Sequence, residues 1–155
     1  MLFDADMDEI AGIAELLGGA PVLKKSLETW AEVHDAILAG LPVAARGHFI
    51  DYFGDIEEAP DAIDALIGEV THEGHASVTD RPAVLSVTQG SQLWSLASIL
   101  FNAARQFGSA YAACLWFVEP AMALDQRKPV DLASTPAGMK ALERHLTQMK
   151  YCVYI

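Results

Sequence analysis

The sequence is poor in cysteine, and it has neither a long apolar run nor a recognisable export signal. Two cysteines occur in 155 residues, and Cys114 and Cys152 are too far apart for the usual spacing of zinc ligands. We therefore expect reduced thiols in a cytoplasmic protein. The longest apolar run, around residues 110–118, is too short to span a bilayer. The N-terminus lacks the basic and apolar regions of a secretory signal, so we expect no membrane association.

Basic residues are also scarce. Ten lysines and arginines stand against twenty-one acidic residues, which gives a formal net charge of −11. This balance disfavours nonspecific attraction to DNA or to an anionic membrane. It favours a basic or cation-lined partner.

Strand-type alternation is rare, whereas apolar residues recur at helical spacing through most of the chain. We predict an all-α fold, with helices over about 8–17, 26–39, 43–53 and 60–70, and another stripe from Leu93 to Ala104. Residues 71–90 predict a loop with at most one short helix. The predicted organisation is an N-terminal helical part with a degenerate helix-turn-helix-like character (1–75), a connecting segment (76–92) and a compact C-terminal helical domain (93–155).

Motifs for catalysis or metal binding are not found. His72 and His75 come closest, but they are three residues apart, and Gly74 between them weakens the helix that a zinc-protease motif requires. An exposed loop explains them better. The sequence has no nucleophile elbow, phosphate-binding glycine loop or CxxC pair, so we expect no enzyme, metal or cofactor.

The most informative pattern lies in residues 107–138. Gly108 can end one helix in a left-handed conformation, and Ser109 can cap the next. Pro120 ends that second helix, whose apolar residues 110–118 predict burial on most sides. Trp94, Leu96, Ile99, Leu100, Trp116 and Phe117 are expected in the core.

A last helix follows Thr135 and Pro136, which form a cap and a favourable first helical residue. Pro129 fits the first turn of a short helical piece before it. Apolar residues then recur at helical spacing, with basic residues between them: Met139, Leu142, Leu146 and Met149, and Lys140, Arg144 and Lys150.

These residues resemble the C-terminal toxin-binding domain of Xre/MbcA/ParS-type antitoxins, the partners of RES-domain toxins. The resemblance runs from about Leu93 to the end and rests on spacing. The matching positions are Phe107-Gly108, Trp116-Phe117, Pro120, Ala123-Leu124, Pro129, Asp131-Leu132, Thr135, Gly138 and the terminal segment Tyr151-Cys152-Val153-Tyr154. A weaker likeness covers residues 26–42.

The resemblance implies an antitoxin of a type II pair that inhibits a toxin acting on NAD, in a homo-oligomer or a heterotetramer with that toxin. An acidic inhibitor would suit a cationic pyrophosphate pocket. The terminal carboxylate of Ile155 can then occupy a phosphate position. The residues expected to bind the toxin lie in the last helix and the tail: Arg144, Met149, Lys150, Tyr151, Val153, Tyr154 and Ile155.

The alternative function is a DNA-binding autorepressor, acting alone or with the toxin. Between Arg46 and Arg81 the helix-turn-helix-like candidate has nine acidic residues and no lysine or arginine. A recognition helix needs basic side chains to neutralise phosphates. The family's Ser-Asp-Arg-Leu run is Gly90-Ser91-Gln92-Leu93 here, without its arginine. These departures disfavour DNA binding by the chain alone.

Overall fold

The computed structural model describes residues 2–68 and 84–151. This part of the chain is α-helical and contains no strand, which confirms the all-α prediction. The helices are α1 (Leu2–Leu16), α2 (Gly19–Leu23), α3 (Trp30–Ala39), α4 (Val43–Tyr52), α5 (Ala59–Ile67), α6 (Val87–Phe107), α7 (Ala110–Val118), α8 (Pro129–Leu132) and α9 (Pro136–Tyr151), with a 3-10 helix at Met122–Leu124.

The chain divides into two compact units. The first comprises Met1–Tyr52 and Ile67–Ala97, and the second comprises Phe53–Leu66 and Ser98–Ile155. Helix α6 contributes to both, since its residues through Ala97 fall in the first unit and those from Ser98 in the second.

In the first unit, α1 packs against α2 and α4. Its core is aliphatic except for Phe49 and Trp94. The amide of Leu85 donates to the carbonyl of Leu41 at 2.7 Å, which ties the start of the α6 segment to the turn before α4. The largest fully buried side chains here are Ile10, Ile13, Leu17, Leu41, Phe49, Leu85, Leu93 and Leu96.

In the second unit, α8 packs against both α7 and α9. Phe53 and Phe117 meet with their ring centroids 5.8 Å apart, and Leu142 of α9 is fully buried. Of the predicted core residues, Ile99, Leu100 and Phe117 in this unit are buried as expected, as are Trp94 and Leu96 of α6 in the first unit. Trp116 is half-buried.

Helix α6 begins at Val87, six residues before the predicted stripe. The amide of Gln89 donates to Ser86 Oγ at 3.1 Å, and the amide of Ser86 donates to Gln89 Oε1 at 3.1 Å. This reciprocal pair is a capping box, which satisfies two amides at the start of the helix. Residues 87–92 are therefore helical.

Two further local predictions need correction. Helix α3 begins at Trp30, later than the predicted start near Ser26, because the Thr29 side chain caps it by accepting from the Glu32 amide at 3.1 Å. Helix α7 is less completely buried than predicted: one face is fully buried, Ala112, Leu115 and Trp116 are half-buried, and Ala110 and Tyr111 are exposed. Its buried residues are Ala113, Cys114, Phe117 and Val118, whereas Tyr111 is 66% exposed.

Candidate functional site

Helix α9 carries the predicted binding residues that the structure describes, which are Arg144, Met149, Lys150 and Tyr151. The Gly138 amide donates to Thr135 Oγ1 at 3.0 Å, and Pro136 is the first residue of the helix, as the sequence predicts. Gly138, Met139, Leu142 and Leu146 are buried. Because these positions share one face, the opposite face of α9 is left to solvent.

The predicted residues occupy different environments on this helix. Arg144 is exposed and Met149 is half-buried. Lys150 and Tyr151 lie together at the end of α9, with Lys150 Nζ 5.6 Å from the centroid of the Tyr151 ring. Tyr151 is 73% exposed. Val153, Tyr154 and Ile155 lie outside the described residues, as do His72 and His75.

A surface groove lies beside Arg144, and sequence reasoning did not anticipate it. Its volume is about 280 Å³. Helix α9 forms one wall and the turn around the 3-10 helix forms the other. The lining residues are Ala123, Leu124, Asp125, Arg127, Leu132, Ala141, Arg144, His145 and Gln148.

The turn over residues 121–127 is closed by its own backbone. The amides of Leu124 and Gln126 both donate to the Ala121 carbonyl, at 3.0 and 2.9 Å. The Ala121 amide in turn donates to the backbone carbonyl of Arg127 at 3.0 Å. Asp125 and Gln126 have φ values of 57° and 63°, which lie in the left-handed region. A residue other than glycine adopts this conformation at a cost of roughly 1–2 kcal/mol. The hydrogen bonds stabilise this conformation and so fix the backbone position from which the Arg127 side chain projects.

The C-terminal part of the chain, which contains the groove, differs in charge from the chain as a whole. Residues 98–155 contain six lysines and arginines and four acidic residues, a formal charge of +2, whereas residues 1–97 contain four and seventeen, a formal charge of −13. Arg127 and Arg144 are exposed, and neither has an ion-pair partner within the described residues. The acidic excess of the chain therefore lies in the first 97 residues, and the part that contains the predicted binding residues Arg144 and Lys150 is weakly basic.

An aromatic layer supports the groove from below. His145, which lines the groove, stacks on Trp116 with ring centroids 6.2 Å apart, and Trp116 meets Phe107 at 5.7 Å. Burial lowers the pKa of His145 from its ordinary value, because a less hydrated imidazole resists taking up charge. His145 is thus a packing residue.

Sequence reasoning missed Met122 and Arg127. Arg127 lines the groove, and Met122 is 83% exposed in the same turn. The available signal was the basic pair Arg127-Lys128 before Pro129 in an acidic chain. It indicated a positively charged turn but not its place beside α9, which depends on the packing of α8.

Across residues 2–68 and 84–151, no group of three or more histidine, cysteine or acidic side chains could hold a metal ion. None of the helices in those ranges is long and apolar enough to cross a membrane.

Comparison with known proteins adds one positive finding. No curated protein matches the chain. A family model does match, and it covers most of the second unit, including the groove and α9 up to Tyr151. Residues 102–151 match the model of the antitoxin Xre/MbcA/ParS C-terminal toxin-binding domain, which confirms the resemblance for this part of the chain and implies an antitoxin role with a toxin as partner.

Proposed function

We propose that this chain is the antitoxin of a type II toxin-antitoxin pair and inhibits its toxin by stoichiometric binding. The observation that supports this most is the match of residues 102–151 to a toxin-binding domain. In this proposal residues 93–155 form the toxin-binding part, residues 1–75 a helix-turn-helix-like part, and residues 76–92 connect them. The inhibition requires no chemistry from the antitoxin.

The proposed partner is a RES-domain toxin that consumes NAD or transfers its ADP-ribose to a protein. This choice comes from the family resemblance. A site that accepts the pyrophosphate of NAD needs cationic side chains, to which the terminal carboxylate of this chain could bind. The toxin and antitoxin are proposed to form a hetero-oligomer.

The inhibiting element is proposed to be the end of α9 with the residues that follow it. Tyr151 is 73% exposed, so little of its ring is used in packing this chain. Exposed aromatic residues make strong anchors at interfaces, since burying one in a partner removes a large apolar area from water. Tyr154, three residues further on, supplies a second ring.

DNA binding is the less favoured alternative. Residues 1–97 have a formal charge of −13, and α5 carries Asp61 and Asp64 without a basic residue. A DNA complex would depend on charge supplied by another chain, because phosphate neutralisation supplies most of the nonspecific affinity. A gel shift of promoter DNA by the purified chain at low salt would support this alternative.

The decisive experiment is co-expression with the adjacent open reading frame while growth and cellular NAD are followed. We expect the neighbour to stop growth and this chain to restore it. A fall in NAD before rescue would identify NAD consumption, and toxicity at constant NAD would indicate modification of a protein. A neighbour without toxicity, or toxicity without rescue, would contradict the antitoxin function.

The role of the tail is tested by deleting residues 152–155. We expect the truncated chain to lose neutralisation while its helical circular dichroism is unchanged. Tyr154→Phe is the matched control, since it keeps the ring, and it should neutralise nearly as well as the unaltered chain. Full neutralisation by the truncated chain would show that the tail is not the inhibiting element.

A further inference from the structure

We propose that the groove between Arg127 and Arg144 is a second contact site, which binds a carboxylate side chain on the surface of the toxin. The inference rests on the proposed antitoxin function and deepens it. It separates two tasks, because the groove would supply affinity and the segment after α9 would block the active site.

The geometry suits one side chain of a partner. The groove, with a volume of about 280 Å³, is too small for a helix but large enough for the side chain of an aspartate or glutamate. Ala123 and Ala141 leave room between the two walls. The methylene groups of the entering side chain would contact these apolar surfaces while its carboxylate reaches the guanidinium groups.

The electrostatics favour an anion from outside. Arg127 and Arg144 come from two different elements, the closed turn and α9, and within the described residues neither is paired with a carboxylate. A guanidinium group presents two parallel donors that match a carboxylate in a bidentate pair. Gln148 adds an amide donor on the same wall.

A protein carboxylate fits this site better than a nucleic-acid phosphate. Asp125 also lines the groove, and residues 98–155 hold four acidic side chains among six basic ones. Asp125 would repel the phosphates of a nucleic-acid backbone, whereas a single side chain can avoid it. Phosphate recognition also gains its affinity from many basic contacts together.

The test uses the purified product of the adjacent open reading frame and calorimetric titration with the full-length chain. Arg127→Glu and Arg144→Glu should each weaken binding at least tenfold. Lys140→Glu is the matched control, because Lys140 is also an exposed basic residue of α9 but does not line the groove. It should change the dissociation constant by less than about threefold, as expected for a charge at the rim of an interface.

Melting temperatures, binding measurements and competition with DNA decide between the outcomes. Unaltered melting temperatures show that the variants fold, since all three side chains are exposed. Binding by the chain lacking residues 152–155, with loss of that binding on adding Arg144→Glu, is the expected result. If both groove variants bind like the unaltered chain, or if duplex DNA competes with the toxin for the groove, this inference is wrong while the antitoxin function stands. If the unaltered chain does not bind the toxin, both are wrong.

Discussion

The imidazole of His145 stacks on the indole of Trp116, with their planes 16° from parallel. The contact joins α9 to α7 within the second unit and partly removes His145 from water. Burial lowers the pKa of His145, so the folded chain holds this group neutral more strongly than the unfolded chain does.

This stack predicts a loss of stability in mild acid. As the pH falls below the ordinary histidine pKa of about 6.5, the unfolded chain takes up a proton before the folded chain does. The free energy of unfolding should therefore decrease until the pH passes the lowered folded-state pKa, and level off below it. Urea unfolding at pH 7.5, 6.5 and 5.5 measures this. His145→Phe keeps a stacking ring without a titrating group, and an identical pH dependence in that variant would contradict the prediction.

Gly138 predicts a strong steric effect. A Cβ atom at this position would overlap the backbone carbonyl of Leu132, and a backbone carbonyl in the α8 turn cannot move aside easily. We expect Gly138→Ala to lower the free energy of unfolding by about 2 kcal/mol or more, as overpacking does. Chemical denaturation measures it.

Gly47 of α4 is the matched control for that substitution. A Cβ atom there would meet nothing within 4 Å, and the residue lies in the interior of a helix. Gly47→Ala should raise the free energy of unfolding by about 0.5–1 kcal/mol, since alanine restricts the unfolded chain and favours helix. Equal effects at both glycines would show that the approach of Gly138 to Leu132 is not tight.

Cys114 is predicted to be unreactive in the folded chain. It is buried in α7, and burial raises the pKa of its thiol to about 11. Because only the thiolate reacts with alkylating agents, a Cys152→Ser variant should take up almost no iodoacetamide at pH 8. Mass spectrometry after addition of urea should show one modification. Rapid labelling without urea would mean that α7 opens readily.

Tyr151 is predicted to act in binding and not in folding. Because it is 73% exposed, Tyr151→Ala should change the free energy of unfolding by less than about 0.5 kcal/mol. Binding of the toxin should weaken by about 2 kcal/mol, the typical loss at an aromatic anchor. Tyr111→Ala removes a ring of similar exposure from α7, outside the proposed site, and should leave affinity unchanged. Similar losses of affinity in the two variants would show that the toxin contacts a wider surface than the end of α9.

The all-α class and the helix ends around Gly108 and Ser109 were accessible from sequence, whereas the starts of α3 and α6 were not. Gly108 has a φ of 73°, and Ser109 caps α7 by accepting from the Ala112 amide at 3.2 Å, both as predicted. Such ends depend on residues within four positions of one another, so local chemistry determines them. The capping box of Ser86 and Gln89 had the same local signature and was overlooked.

The groove depends on contacts that a single sequence does not display. Its two walls are separated in the chain by α8, and α9 lies so close to the end of α8 that a Cβ atom at Gly138 would overlap the Leu132 carbonyl. Sequence spacing placed Arg144 on the exposed face of α9. Nothing in the spacing related Arg144 to Arg127, because that relation follows from tertiary packing.

The closed turn over residues 121–127 also determines whether its backbone loses conformational entropy during folding or during binding of a partner. Ordering one residue of backbone costs roughly 1–2 kcal/mol in conformational entropy. Here that loss accompanies folding, since the turn already carries hydrogen bonds from Leu124, Asp125, Gln126 and Arg127. A partner that docks against Arg127 would meet a backbone that is already ordered. Its binding free energy would therefore not include the entropy cost of ordering the turn.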